Sequence, residues 1–198
     1  MKKLDRDTLL SLEQYAEVRE DFRRKVMAHK KPRRISLDPA ETANLYFEDF
    51  LTMHYQVQEM LRAERVFEAE GIEDELGAYN PMIPDGSNWK ATFMLEFGDV
   101  AERRQRLAEL IGVEDRVYVQ VDDLDRVYAI ADEDMERETE EKSSSVHFMR
   151  FELTPDMVSA AKNGAPIRAG SDHPKLTAEV TLSDVSRASL TADLEAPK

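Results

Sequence analysis

The sequence predicts an α+β fold in which N-terminal helices, including one long central helix, pack on a largely antiparallel sheet. In the first part of the chain the apolar residues recur at helical spacing, whereas from Lys90 onward many of them alternate with polar residues, as in strands with one covered face. No internal repeat and no linker rich in Gly or Ser divides the chain. We therefore predict a single domain over 1–198, with a helical part at about 1–77 and a sheet-rich part at about 88–198.

Composition excludes several classes of function. The 198 residues include 41 Asp and Glu against 27 Lys and Arg, and the formal net charge of −14 argues against nucleic acid as a partner, because the field repels phosphates. There is no cysteine, so disulfides, thiol catalysis and an iron–sulfur cluster held by cysteines are excluded. The chain has no membrane-length apolar run and no apolar signal-peptide core near its start, which predicts a cytoplasmic protein without a membrane partner. The oligomeric state is not determined by any of these features.

The first helix is predicted to begin at Asp5 or Asp7 and to end at Pro32, with a break near Ser11. Its apolar positions are Leu9, Leu10, Leu12, Tyr15, Val18, Phe22 and Val26. The basic run 29–34 is typical of a solvated helix end and loop, and the alternative is a local patch that binds an anion. A short strand follows at 34–37, and Asp38-Pro39 is predicted to turn the chain into the long helix.

The long helix is predicted over Leu45–Phe67, which contains no Gly or Pro and corresponds to about six turns. At helical spacing one face carries Tyr46, Phe50, Met53, Val57, Met60 and Leu61. The opposite face carries a polar stripe of Glu48, Tyr55, Glu59 and Arg62. This stripe is a candidate lining for a cleft. The alternative is a solvated surface on which Glu59 and Arg62 form an ion pair at i and i+3.

The remaining elements alternate between helix and strand. We predict helices at 68–76 (interrupted by Gly71 and ended by Gly77), from Asp99 to 111, at 154–163 and after Ser183. We predict strands at 90–97, 117–121, 127–131, 145–153, 167–169 and 176–182, of which 145–153 is a central strand because it is apolar on both faces. Residues 79–86 form a loop, 170–174 a turn, and the charged run 132–145 a solvated loop or exposed helix.

Five segments, in order along the chain, carry a resemblance to a known family: Arg33–Leu37, Gln56–Arg62, Tyr79–Pro84, Trp89–Thr92 and Ser144–Phe151. They resemble a bacterial family catalogued as domain of unknown function 3501. The family has no established activity, but its members are often encoded beside iron–sulfur reductase-like and rubrerythrin-like proteins. By that association, the resemblance implies an accessory role in iron or oxygen-stress metabolism, with redox or iron–sulfur proteins as partners. A rubrerythrin-like di-iron site is not predicted, because no Glu is followed by His three residues later.

Two histidines are candidates for a site. His147 shares its strand face with apolar residues, which favours a core histidine with one hydrogen bond. Asp172 and His173 form a second candidate pair in an exposed turn. The alternative joins His147, His173 and a carboxylate, Glu59 or Asp172, into a divalent-metal site with two histidines and one carboxylate.

The sequence thus favours a binding or accessory protein, and the alternative is a metal-dependent enzyme that uses the two histidines. No phosphate-binding loop, nucleophile elbow or His-Glu-x-x-His helix is present, so no catalytic residue is assigned. A deep pocket in which the polar candidates converge would favour the enzyme, and an apolar patch or groove would favour the accessory protein.

Overall fold

A computed structural model describes residues 2–133 and 142–195 of the protein. Within these ranges nine strands form two antiparallel sheets. The strands are β1 (Arg34–Ser36), β2 (Ala43–Glu48), β3 (Asn88–Leu95), β4 (Val117–Val121), β5 (Val127–Tyr128), β6 (Ile130–Ala131), β7 (Val146–Glu152), β8 (Ile167–His173) and β9 (Leu176–Thr181). The first sheet has the order β1-β2-β3-β7-β6 and the second has the order β5-β4-β8-β9.

Six α-helices cover these sheets in the described part of the chain. They are α1 (Leu12–Lys30), α2 (Phe50–Glu64), α3 (Ala69–Tyr79), α4 (Val100–Glu109), α5 (Pro155–Lys162) and α6 (Asp184–Thr191). The predicted α+β class with antiparallel sheets is therefore confirmed. None of the described helices is both long enough and apolar enough to span a membrane.

The largest hydrophobic core contains residues of both sheets together with α4, α5 and α6. Trp89 of β3 is fully buried in it, and its indole nitrogen donates a hydrogen bond to the carbonyl of Leu190 in α6 at 2.9 Å. A second, smaller cluster is made by the N-terminal helices and contains Leu4, Met53, Val57, Leu61, Leu76 and Ile83. The first sheet therefore has one face on the main core and the other toward α2 and α3.

The predicted long helix is wrong in its first turn, because Leu45 to Glu48 belong to β2. This segment pairs with β1 on one side and with β3 on the other, so its apolar residues are buried by a sheet. The helix α2 begins after Asp49, whose carboxylate accepts from the Thr52 amide while the Thr52 hydroxyl accepts from the Asp49 amide, each at 2.9 Å. Asp49 and Thr52 thus form the N-terminal cap of α2.

Other boundaries also differ from the sequence prediction, and α2 ends at Glu64 where Phe67 was predicted. Helix α3 continues through Gly71 and Gly77 to Tyr79. Strand β8 continues through His173, where a turn was predicted. The predicted strand at 127–131 divides at Ala129, since β5 pairs with β4 in the second sheet and β6 pairs with β7 in the first. Residues 134–141 of the charged run lie outside the described residues.

Most of the other predicted elements are confirmed. The break near Ser11 is present, because Ser11 caps α1 after a short 3-10 helix at Arg6–Thr8. Strand β7 lies between β3 and β6, as predicted for a central strand. The caps Asp99, Thr154 and Ser183 each accept a backbone hydrogen bond at the start of their helices. The division into a single domain stays a prediction.

A buried ionic cluster joins the N-terminal part of the chain to the segment after α6, and it corrects the prediction of a solvated basic run at Arg33. Arg33 has an exposed fraction of 2%, and its guanidinium bonds both carboxylate oxygens of Asp193, at 2.5 and 3.3 Å. Asp49 lies 3.5 Å from the same guanidinium and 2.5 Å from Nε2 of His29. Arg33 also donates to the carbonyls of Phe47 and Glu48, so it connects α1, β2 and the segment after α6.

Candidate functional site

A cavity of about 690 Å³ lies between the outer face of the first sheet and the helices α2 and α3. Its size falls within the range of about 300–1,000 Å³ that is usual for small-molecule sites. Much of its wall is apolar and comes from Met53, Tyr79, Met82, Met94, Val146 and Phe148. Charged residues of the first sheet and Lys30 at the end of α1 complete the lining.

Strand alternation places the charged residues in the cavity. In β2, β3 and β7 every second side chain enters the main core, and those between them face α2 and α3. Antiparallel register puts Glu48 opposite Lys90, and Lys90 opposite Arg150. These three side chains therefore form one row across the sheet, defined here as the charged row, on the wall of the cavity.

Glu48 is the most buried member of the charged row, with an exposed fraction of 5%. Its Oε1 accepts a hydrogen bond from the Thr92 hydroxyl at 3.1 Å, whereas its Oε2 is buried and has no hydrogen-bond partner among the described residues. Burying a carboxylate oxygen without a partner is unfavourable, and native proteins rarely do so without a reason. The unpaired Oε2 therefore marks the place where a ligand would donate a hydrogen bond.

Lys90 is half-buried, and no hydrogen bond or ion pair to its ammonium group is found in residues 2–133 and 142–195. Burial lowers the pKa of Lys90, and the positive charge of Arg150 lowers it further, whereas Glu133 opposes both effects. Arg150 itself is occupied, because it forms two hydrogen bonds of 2.8 Å with Glu133 and one of 2.5 Å with Glu152. Lys90 and Glu48 are thus the members of the row that remain available to a ligand.

The other residues of the predicted polar stripe serve a different purpose. Glu59 faces α1, where it accepts a hydrogen bond from the Tyr15 hydroxyl at 2.6 Å and two from Arg19 at 2.8 and 2.7 Å. The bonds to Arg19 lower the pKa of Glu59, although partial burial opposes them. Tyr55 packs edge-on against Phe22 of α1. The stripe is therefore a contact between helices, and Glu48 is the one candidate from it that lines the cavity.

Arg62, the last residue of the stripe, is exposed. The ion pair between Glu59 and Arg62 that the alternative interpretation expected gives way to the pair of Glu59 with Arg19 at 2.7 Å. Periodicity located both side chains on the helix surface away from the apolar face. The periodicity of α2 carried no information on the neighbouring helix, α1, whose Arg19 pairs with Glu59.

Asp172 and His173 do not form a pair, which corrects the prediction of a shared turn. They are consecutive residues of β8, so their side chains lie on opposite faces of the second sheet. Asp172 forms an ion pair with Arg116 at 2.9 Å and accepts from the Tyr128 hydroxyl at 2.6 Å. His173 is buried, with Nε2 donating to the Ile111 carbonyl at 3.1 Å and Nδ1 accepting from the Lys175 amide at 3.2 Å.

His147 is a core histidine with satisfied nitrogens, as the favoured interpretation predicted. It is fully buried, with Nδ1 at 2.5 Å from Asp132 Oδ2 and Nε2 at 3.0 Å from Ser143 Oγ. The Asp–His–Ser order resembles a nucleophilic triad, yet Ser143 has an exposed fraction of 1% and does not line the cavity. Since Asp132 and Ser143 flank 133–142, His147 joins the two ends of that segment. Neither partner was expected from the sequence.

The predicted metal site is not assembled. His147, His173 and Glu59 have the separate partners described above, and Asp172 lies in an ion pair on the second sheet. Within the described ranges no three His, Asp or Glu residues group in a way that could hold a metal ion. A cavity is present, but the predicted polar residues do not converge in it, and the two histidines do not line it.

We expect His147→Ala to lower the free energy of unfolding by about 2–4 kcal/mol, because it removes the shared partner of the buried Ser143 hydroxyl and of the Asp132 carboxylate, whose side chain is 10% exposed. Chemical denaturation measures the change. The matched variant is His54→Ala, since His54 is half-buried and its Nε2 has no hydrogen-bond partner among the residues described. Equal losses of unfolding free energy in the two variants would contradict the role of His147 in connecting Asp132 to Ser143.

The fold and the cavity together define the class: an α+β protein of two antiparallel sheets with a ligand-sized cavity on the outer face of one of them. The chain belongs to the family described as protein of unknown function (DUF3501), whose model matches residues 3–194. The resemblance found in the sequence is thereby confirmed.

A solved structure is similar to this chain over nearly all of its length. It is the crystal structure of a novel protein of unknown function from Burkholderia pseudomallei K96243, with 48% sequence identity and a TM-score of 0.92. The match covers 98% of this chain and 100% of the other. A search of curated proteins found no match.

Proposed function

We propose that the protein binds an amphipathic small molecule in the cavity between the first sheet and helices α2 and α3. The observation that carries the proposal is the buried Oε2 of Glu48, which has no hydrogen-bond partner in the described part of the chain and belongs to a residue of the cavity wall. A ligand that donates a hydrogen bond there would remove an unfavourable feature of the free protein.

The chemistry of the wall supports an apolar ligand body. Met53, Met82 and Met94 line the cavity with Phe148 and Tyr79, and thioether side chains adapt to ligands of irregular shape. Ligand sites of this size are typically apolar with a few polar groups that set the orientation. The proposed binding function thus has a specific site, the cavity, and a class of ligand, amphipathic small molecules.

N-phenyl-1-naphthylamine, a neutral apolar fluorophore, tests the proposal directly. We expect saturable binding of one molecule per chain, measured by the rise in fluorescence on titration, because the dye fits an apolar pocket of about 690 Å³. Ala78→Trp fills the cavity edge from an exposed position on α3 and should abolish saturable binding. Glu73→Trp, also exposed on α3 but outside the lining, should retain it. Equal binding by the two variants would overturn the proposal.

Glu48→Gln separates a ligand-binding role from a structural one. We expect its melting temperature to equal or exceed that of the wild type, because glutamine retains an acceptor for Thr92 and does not place an unpaired carboxylate in a buried position. Thermal denaturation in the absence of ligand measures the effect. A loss of stability comparable to that expected for His147→Ala would show that Glu48 is needed by the fold, and would remove the main support for the site.

Two finer predictions remain proposals, and a third is not adopted. A link to redox or iron–sulfur partners is supported by the association noted for the family and by no contact in this structure. A cytoplasmic location is supported by the lack of cysteine and of long apolar runs in the sequence. The metal-dependent enzyme has no support from the positions of its proposed ligands, so the binding function is the one we adopt.

A further inference from the structure

We infer that the ligand carries a bipolar head group, a cationic hydrogen-bond donor beside an anionic acceptor, on an apolar body, as in a free amino acid with a long apolar side chain. This inference depends on the proposed function, since it specifies the ligand of the same cavity. It follows from two neighbouring residues, Glu48 and Lys90, which line the cavity and do not pair with each other.

The absence of a pair between Glu48 and Lys90 is the unusual feature. They stand directly opposite each other in register on β2 and β3. Cβ atoms at such positions are about 4.5–5.5 Å apart, and opposite charges placed there ordinarily attract and stabilise the sheet. Here Glu48 Oε2 remains without a hydrogen-bond partner and Lys90 forms no ion pair with any described residue. Both charges are therefore free to bind opposite poles of one ligand.

Neither a purely cationic nor a purely anionic head group would give both Glu48 and Lys90 an opposite charge. A cationic head that reaches Glu48 would also approach Lys90 and Lys30, which line the same cavity. An anionic head that reaches Lys90 would approach the buried carboxylate of Glu48. A head with both charges places its donor on Glu48 and its acceptor on Lys90, so each buried or half-buried charge gains a counter-charge.

Arg150 does not compete with Lys90 for the anionic group of the ligand. Its guanidinium is engaged by Glu133 at 2.8 Å and by Glu152 at 2.5 Å, on the far side of Lys90 in the charged row. Lys90 is thus the cation of the row that can bind an anionic group. Partial burial lowers its pKa more than the charge of Glu133 raises it, as expected for a half-buried ammonium without a hydrogen-bonded counter-ion.

Three probes with a similar apolar tail test the head group: octylamine, octanoate and 2-aminooctanoate, each titrated calorimetrically into the full chain. We expect 2-aminooctanoate to bind at least about tenfold more tightly than either of the others, because octylamine leaves Lys90 and octanoate leaves Glu48 without a charged hydrogen-bond partner. Glu48→Gln should weaken 2-aminooctanoate and octylamine by about tenfold or more and leave octanoate unchanged or tighter. Lys90→Met should weaken 2-aminooctanoate and octanoate by a similar factor and leave octylamine unchanged or tighter.

The outcomes separate this inference from the proposed function. If octylamine or octanoate binds the wild type as tightly as 2-aminooctanoate, or if both substitutions leave 2-aminooctanoate unaffected, the bipolar head is overturned while dye binding still supports the cavity. If none of the three probes binds and the dye binds Ala78→Trp as well as the wild type, both are overturned. Melting curves show that each variant is folded, and Lys90→Met decides the question alone should Glu48→Gln fail to fold.

Discussion

Arg33→Met is expected to lower the free energy of unfolding by about 3–5 kcal/mol, the usual consequence of removing one partner from a buried ion pair. Arg33 has an exposed fraction of 2% and is the cation shared by Asp193 and Asp49. Without it, His29 is the cationic partner that the described residues leave for the two buried carboxylates, through its contact with Asp49. The carbonyls of Phe47 and Glu48 also lose their donor.

The neighbouring residue supplies the control for this prediction. Arg34 is exposed, and its ion pair with Glu41 at 3.0 Å lies at the surface, where such pairs contribute about 0–1 kcal/mol. Arg34→Met should therefore have a small effect when the two variants are compared by urea titration. Similar losses for both arginines would show that the cluster around Arg33 does not stabilise the fold.

The deficit of Arg33→Met should also depend on pH. Burial raises the pKa of Asp193 to about 6, although Arg33 opposes the shift. A carboxyl whose pKa is raised in the folded state stabilises the fold below its unfolded pKa and loses that contribution as pH rises through the folded pKa. Removing Arg33 raises the folded pKa of Asp193 further, so we expect a larger deficit at pH 7 than at pH 5. A deficit that is equal at the two pH values would contradict this.

Val57→Asp is expected to unfold at least the N-terminal helices and to abolish a cooperative thermal transition at the wild-type temperature. Val57 is fully buried at the centre of the cluster formed by Met53, Leu61, Leu76 and Ile83. A carboxylate there has no cation to pair with among those side chains, and burying it costs several kcal/mol. That cost is comparable to the whole stability of a domain, about 5–15 kcal/mol.

Ala63→Asp is the matched control, because it introduces the same carboxylate at an exposed position of the same helix. Its expected cost is below about 1 kcal/mol and comes from an acidic group near the helix C-terminus. Circular dichroism and calorimetric melting of the two variants measure the difference. An unchanged melting temperature for Val57→Asp would mean that the apolar face of α2 has been placed incorrectly.

Local signals explain why much of the fold was predictable. Ser11, Asp99, Thr154 and Ser183 start their helices through hydrogen bonds to residues three positions ahead, so their effect is contained in a few consecutive residues. The burial of Val57 also followed from sequence, since helical periodicity alone defines an apolar face. The central strand β7 was recognisable because apolar residues occur on both of its faces.

Tertiary contacts decided the elements that the sequence left ambiguous. The apolar run of β2 is compatible with helix or strand by its pattern, and pairing with β1 and β3 makes it a strand. A basic run predicts solvent exposure unless a buried anion is known, and the anion for Arg33 is Asp193, 160 residues further along the chain. Similarly, Glu59 joins α2 to α1 because Arg19 of α1 lies within hydrogen-bond distance of it.

The candidate site, too, was predicted in part by the sequence and decided in part by the tertiary structure. The sequence by itself determined that Glu48 is a polar residue beside an apolar segment, that the chain has no cysteine ligands, and that the phosphate-binding and nucleophile motifs considered are missing. Only the tertiary structure placed Glu48 opposite Lys90 on a cavity wall and separated His147 from His173 and Glu59. Periodicity reports which face of an element is apolar, whereas register and packing between distant segments determine which side chains meet.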